Sequence, residues 1–264
     1  MALSLKTAVS SGNPNLPLSL TSAGRRTIMA ANPAMWLRAD AAQMDQALDG
    51  TLAAIGDLTS KTWTPTQGQR PAVVDAGTTK ALRFAVGTDG AQALTCVGDP
   101  DLLPASPSPL TLVALVKCAS GMAVDRSVIV GSRDATPMAL FVNNTGGNAF
   151  FMSKYNDGVS VMNGGADVTD SAWHTIMVAI AGTGAGGQVF LDGVSDSTNS
   201  GNTFTRNANR KLIIGTAGLT GAGRYFEGDL GALLILPTDI RASGNSELLL
   251  AVNAEFAAER AKRV

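Results

Sequence analysis

Apolar residues in this chain come in short alternating bursts, and glycine, proline, asparagine and aspartate separate the bursts. Residues 110–118 (LTLVALVKC) are apolar on both faces: Leu110, Leu112, Ala114 and Val116 alternate with Val113 and Leu115. A strand covered on both sides has that signature. Residues 175–181 (TIMVAIA) set Ile176, Val178 and Ile180 on one face of another strand. Shorter runs at 82–84, 128–130, 138–142, 149–152, 188–192, 211–215 and 226–236 are each bounded by turn residues. Asp192-Gly193 follows the 188–191 run with a dipeptide suited to a two-residue hairpin turn. The pattern predicts an all-β fold over residues 33–264: an antiparallel β-sandwich of the jelly-roll kind.

One segment changes period. After Ser246, the expected N-cap, Leu249, Val252 and Phe256 fall at i, i+3 and i+7, which predicts a single C-terminal helix. Glu247 near its start and Lys262 and Arg263 near its end suit the helix dipole. Residues 1–32 read differently again. They are rich in Ser, Thr, Asn, Gly and Pro and are expected to form an extended N-terminal arm. Period-two spacing puts Leu16, Leu18 and Leu20 on one face of it. Burying three leucines on a partner would contribute about 5–8 kcal/mol before the entropy of ordering the arm is subtracted. Arg25 and Arg26 would pair with acidic groups there, so these five residues are the expected docking points on another subunit.

Composition narrows the partners. With 45% hydrophobic and 16% charged residues among 264, the chain can bury a sizeable core. Its 29 glycines and 11 prolines supply the turns that many short strands need. A net charge of −1 without a basic stripe argues against nucleic acid. No apolar run has the length of a membrane-spanning helix, so no membrane partner is expected. The N-terminal MALSLKTAVSSGNPNLPLSL lacks the continuous apolar core of a signal peptide, which implies synthesis in the cytoplasm. Cys96 and Cys118 sit in apolar, strand-like stretches and read as small buried hydrophobes, with a disulfide between them left open.

Several segments in fixed order resemble one family. Ala81-Leu82-Arg83-Phe84, Ser108-Pro109-Leu110-Thr111-Leu112-Val113-Ala114, Trp173-His174-Thr175-Ile176, Val189-Phe190-Leu191-Asp192-Gly193, Leu212-Ile213-Ile214-Gly215 and Phe226-Glu227-Gly228-Asp229-Leu230 are similar to successive strands of laminin-G-like domains. These belong to the concanavalin-A-like lectin/glucanase superfamily. The chain departs from the pattern at Ala114-Leu115, where the family often has Ala-Trp. Arg38-Ala39-Asp40 after Trp36 resembles the opening of bacterial and phage-encoded members, including bacteriophage virion proteins. The resemblance implies a concanavalin-A-like sandwich. It leaves function open, because the family includes glycan binders, protein-binding modules, hydrolases and virion proteins.

Catalytic readings find little to stand on. A glycosidase on this fold needs two carboxylates flanking the scissile bond. Glu227 and Asp229 share one strand face, but Leu230, Gly231 and Ala232 follow where the related glucanases carry a third acid. Glu247, Glu255 and Glu259 fall in the predicted helix. His174, the single histidine, lies in a motif the fold already explains, and no Gly-x-Ser-x-Gly elbow is present. Asp157, Asp167, Asp170, Asp192 and Asp196 lie in or near loops, and calcium at a loop rim is the one cofactor left open. Tyr155, Asn156 and Asp157 form the one loop with an aromatic beside amide and acid, the chemistry of a glycan contact. The expectation is a non-enzymatic structural or accessory protein of a virus particle, without a metal site. It would be a capsid-decoration or tail-associated protein docked by its arm on other virion subunits, with self-association open. The alternative is a glycan-binding adhesin or lectin module that meets a host-surface glycan.

Overall fold

The computed structural model describes residues 22–66, 70–87, 90–105, 108–118, 122, 126–133, 138–143, 147–155, 158–182, 186–199, 210–216 and 225–264. The described chain opens with helix α1 (Ala23–Ala30) and strand β1 (Met35–Arg38). It continues through β2 (Met44–Gln46), β3 (Leu52–Gly56), β4 (Thr62–Pro65), β5 (Ala72–Ala76) and β6 (Thr79–Phe84). A two-residue hairpin, β7 (Val86–Gly87) with β8 (Gly90–Ala91), leads to β9 (Leu94–Cys96) and then to β10 (Leu110–Lys117). A meander follows: β11 (Arg126–Ser132), β12 (Met138–Asn143), β13 (Asn148–Tyr155) and β14 (Gly158–Asp167). β15 (Trp173–Ile180), β16 (Gly187–Leu191), β17 (Val194–Asn199), β18 (Leu212–Ile214), β19 (Gly228–Leu236) and helix α2 (Ser246–Ala261) complete it.

The strands form two main sheets. The first runs β17-β16-β15-β10-β19-β6-β5, with β1 also paired to β19; the second runs β14-β13-β12-β11-β18-β9-β4-β3-β2. Every pairing among the described residues is antiparallel. This is the jelly-roll sandwich that the alternation predicts. Period-two side chains divide β10 between two cores. Leu110, Leu112, Ala114 and Val116 face the second sheet, meeting a core that includes Trp63, Leu94, Ile129, Leu140 and Ile214. Val113 and Leu115 face the other way and pack with Met177, Phe190 and Leu234 against Ile28, Leu248, Val252 and Phe256 of the two helices. The doubly apolar β10 is therefore a strand with helices on one side and a sheet on the other. Cys96 and Cys118 are free, buried thiols in the inter-sheet core. Burial pushes them up to about 11 and about 12 respectively.

The structure corrects the sequence reading at both ends. The end of the expected extended arm is helical: Ser22 is extended at φ −98°, and its Oγ accepts from the Arg25 N–H at 3.1 Å to cap α1. Ile28 is then fully buried against α2. Residues 1–21 lie outside the described residues. At the other end, Ser246 is the first helical residue and Asn245 precedes it as the cap. The buried face of α2 is Leu248, Ala251, Val252, Glu255, Phe256 and Glu259, with Leu249 only partly buried.

Candidate functional site

Two glutamates on that buried face need partners, because an unpaired carboxylate under a helix is costly. Arg25 of α1 reaches Glu255 at 2.6 Å and Glu259 at 3.7 Å. Arg38 of β1 reaches Glu259 at 2.5 Å and Asp40 at 2.8 Å. Arg263 donates to the other Glu259 oxygen at 2.9 Å, and Lys262 adds a 2.6 Å contact. Burial alone would raise the Glu259 carboxyl, but Lys262, Arg38 and Arg263 outweigh it and hold the group below the usual range. The cluster ties α1, β1 and α2 together. It gives Arg25, an expected partner contact, a place inside its own chain, and it explains the Arg38-Ala39-Asp40 segment as a structural anchor. Arg26 lies on the exposed side of α1. Leu16, Leu18 and Leu20 fall outside the described residues, as do Asn156 and Asp157 of the expected glycan loop; Tyr155 is the last residue of β13.

The strand carboxylates are also paired. Asp229 accepts from Arg83 Nε and Nη2 at 2.7 and 2.9 Å, a two-pronged bond across β19 and β6 that raises the Arg83 pKa. At the loop rim, Asp167 caps Thr169, while Asp196 accepts from the backbone N–H groups of Gly165 and Ala166. Among the described residues, no three His, Cys, Asp or Glu side chains are grouped to hold a metal ion.

His174 at the start of β15 is held on both sides. Its Nδ1 lies 3.0 Å from Asp192 Oδ2, and its Nε2 lies 2.9 Å from Asp170 Oδ1. Only the doubly protonated imidazolium donates to two carboxylates at once. The hydrogen bond to Asp192 raises the His174 pKa, burial opposes it, and Asp170 adds to the rise. No ring nitrogen is left to act as a base or a metal ligand. Asp192 also accepts the Thr175 N–H at 2.8 Å and is paired with Arg260 of α2. Burial works against its charge, but His174, the Thr175 N–H and Arg260 together hold its pKa below the ordinary value.

The β16–β17 turn completes this corner. Asp192 and Gly193 sit at φ +53° and +83°, the left-handed pair that a tight hairpin requires. Between that turn and α2 lies a small cleft of about 10 Å³, lined by Thr175, Asp192, Gly193, Asn253, Ala257 and Arg260. The last three stand at i, i+4 and i+7 of α2, so one helix face forms the wall. Thr175 is 6% exposed, and its Oγ1 has no hydrogen-bond partner among the described residues. Leaving such a hydroxyl unpaired costs about 1–3 kcal/mol. The Asp192-Gly193 turn and His174 stand out in the sequence, whereas Thr175, Asn253 and Arg260 do not. Asn253 and Arg260, two turns apart on one face of a helix rich in Leu and Ala, are the available signal.

The outer face of the second sheet is a separate surface. Thr64, Thr95, Ile213, Gly131 and Ala139 follow one another across β4, β9, β18, β11 and β12. Among the described residues, no helix packs on that face.

Two antiparallel sheets packed face to face, with two helices on the outer side of the first, define a jelly-roll sandwich domain. Residues 87–240, more than half of the chain, match the model of the concanavalin A-like lectin/glucanases superfamily, and the chain belongs to that family. No curated protein matches the sequence. Among solved structures, the binding domain of Paraclostridial Mosquitocidal Protein 1 is similar at a TM-score of 0.62 and 12% identity, over 85% of this chain and 53% of that one. The binding domain of botulinum neurotoxin serotype D is similar at 0.60 and 8%, over 88% and 53%. The chain thus spans about half the length of these two toxin domains. Domain 4 of AbnA, a GH43 extracellular arabinanase from Geobacillus stearothermophilus solved with arabinotriose, is similar at 0.56 and 15%, over 83% of this chain and 97% of that one.

Proposed function

We propose that this chain is a non-catalytic, metal-independent glycan-binding module. The observation that carries the reading is how the polar groups are paired. Asp229, Asp192, Glu255 and Glu259 are each engaged by arginine or histidine, so none of them is free to flank a glycosidic bond as acid and base. Two of the similar structures are toxin binding domains and a third is an arabinanase domain in complex with arabinotriose, which supports the same reading. The expectation of a virus-particle component draws no support from these features: of its docking residues, Arg25 is engaged within the chain, Arg26 lies on the exposed side of α1, and Leu16, Leu18 and Leu20 are outside the described residues.

A glycan array probed with the full chain tests the proposal. Binding that persists in EDTA, without release of reducing ends from the bound glycan or from β-glucan, is the expected result. A blank array would overturn the binding reading. Hydrolysis that disappears in Glu227→Gln would overturn the non-catalytic one. Mass spectrometry of purified virus particles would detect the particle role independently.

A further inference from the structure

We infer that the outward face of α2 is a homodimer contact, where the same helix of a second copy packs antiparallel about a twofold axis. The inference is independent of the glycan-binding reading. It starts from an imbalance in α2. A surface helix ordinarily turns charge toward water, and a helix that is apolar all round is a covered one. α2 turns Glu255 and Glu259 inward, and its one arginine, Arg260, turns aside to Asp192. What it presents outward is Leu250, Ala254, Ala257, Ala258 and Ala261, all exposed. Leu250 is 69% exposed, Val194 beside the turn that abuts Asn253 is 70% exposed, and Val264 just past the helix is 96% exposed. Five large apolar side chains are exposed among the described residues, and these three lie on or beside one helix, with Leu48 and Val97 elsewhere. Clustering of that kind, rather than single scattered residues, marks a contact surface.

The occupant follows from spacing and charge. Leu250, Ala254, Ala257 and Ala261 are separated by four, three and four residues, the alternation of a helix–helix seam. That spacing reads the same from either end. A twofold axis between Ala254 and Ala257 sets Leu250 of each copy against Ala261 of the other, and Ala254 against Ala257. This is the reciprocity that an isologous contact demands. Each pairing is large on small or small on small, so the helix axes can approach to about 8 Å, the close end of helix packing. Charge is self-complementary in the same register. Glu247 is exposed at the start of α2, and the Lys262 side chain at its end is 40% exposed. Antiparallel packing brings each Glu247 beside Lys262 of the other copy, whereas parallel packing would set like charges together. An unrelated partner would need neither the palindromic spacing nor this symmetry of charge. A 16-residue helix is about 24 Å long, so the contact falls at the small end of specific interfaces, with a Kd on the order of 10–100 µM. Pairing through the helix layer leaves the outer faces of the two second sheets turned away from each other.

The test is sedimentation velocity on the full chain from about 5 µM to about 500 µM, a range that brackets such an affinity. It is run on the parent, on Ala254→Lys, on Ala257→Glu and on an equimolar mixture of the two variants. Both positions are exposed and both replacements are good helix formers, so each variant should melt close to the parent. The parent should pass from monomer to dimer across the range. Either variant alone buries a lone charge in the seam and should weaken association by about tenfold or more. In the mixture the new lysine of one copy meets the new glutamate of the other, and association should return to within about threefold of the parent. A parent that stays monomeric at the top of the range overturns the proposal. Self-association that neither variant weakens does the same, because the contact then lies on another surface. Weakening in both variants without recovery in the mixture overturns the antiparallel twofold pairing.

Discussion

The two sheets of this sandwich differ in how much of them is hidden. In the first, β10 is buried at every position but its last and β19 at every position but its first. In the second, β3, β4, β9 and β18 are buried mainly at the alternate positions that meet the core, and only the middle of the sheet, as at β12, is buried on both faces. Both are antiparallel sheets over a shared core, so pairing cannot be the cause. The helices make the difference. α1 and α2 cover the outer face of the first sheet and bring the Arg25–Arg38–Glu255–Glu259 cluster with them. A sheet face thus becomes a second core when an amphipathic layer is supplied, and that layer creates a new edge where a cleft can form.

The largest effects should come from the covered side. Phe256→Ala removes a ring that is 1% exposed and should cost about 3–5 kcal/mol in chemical denaturation. Glu259→Ala leaves Arg38 and Arg263 buried without their shared carboxylate and should cost a similar amount, about 3–5 kcal/mol. Gly231→Ala is smaller. A Cβ there would lie 2.7 Å from Arg263 Nε, so the arginine must shift, at about 1–3 kcal/mol. Ile213→Ala, on the uncovered face of the second sheet, should cost under about 1 kcal/mol. A cost equal to that of Phe256→Ala would show that something hides this face as well.

The pH dependence sharpens the contrast at the cleft. His174 has its pKa raised in the fold, so its contribution is complete below the ordinary value of 6.5 and is lost as pH rises through the folded value. Glu259 has its pKa lowered, so its contribution is present above the ordinary 4.5 and is lost as pH falls through the folded value. Melting curves should show the alkaline-side loss in the parent and not in His174→Gln, and the acid-side loss in the parent and not in Glu259→Gln.

Legibility in the sequence followed the range of the interactions. The strands β10 and β15 show their period within eight residues, and each pairs along its whole length. β17 (VSDSTN) and β14 (GVSVMNGGAD) carry little alternation of their own and are strands because β16 and β13 recruit them. α1, eight residues with a Gly and two Arg, is too short to hold alone and depends on burying Ile28 against α2. The site divides the same way. The Asp192-Gly193 turn was visible locally, while Thr175, Asn253 and Arg260 converge only once α2 docks. The burial of Glu255 and Glu259 is not legible locally, because Arg25 and Arg38 lie more than two hundred residues earlier.

That last separation has a consequence for how the protein is made. Arg25 and Glu255 are 230 residues apart, and Arg38 and Glu259 are 221 apart. The ribosome delivers β10, with Val113 and Leu115 on its helix-facing side, long before it delivers Leu248, Val252 and Phe256 to cover them. Throughout that interval the nascent chain carries an unsheltered apolar surface, the condition under which incomplete domains stick to one another or engage chaperones. Ribosomes stalled before residue 246 should therefore yield a chain that precipitates or is held by a chaperone, and the last nineteen residues should act as a solubility switch during synthesis.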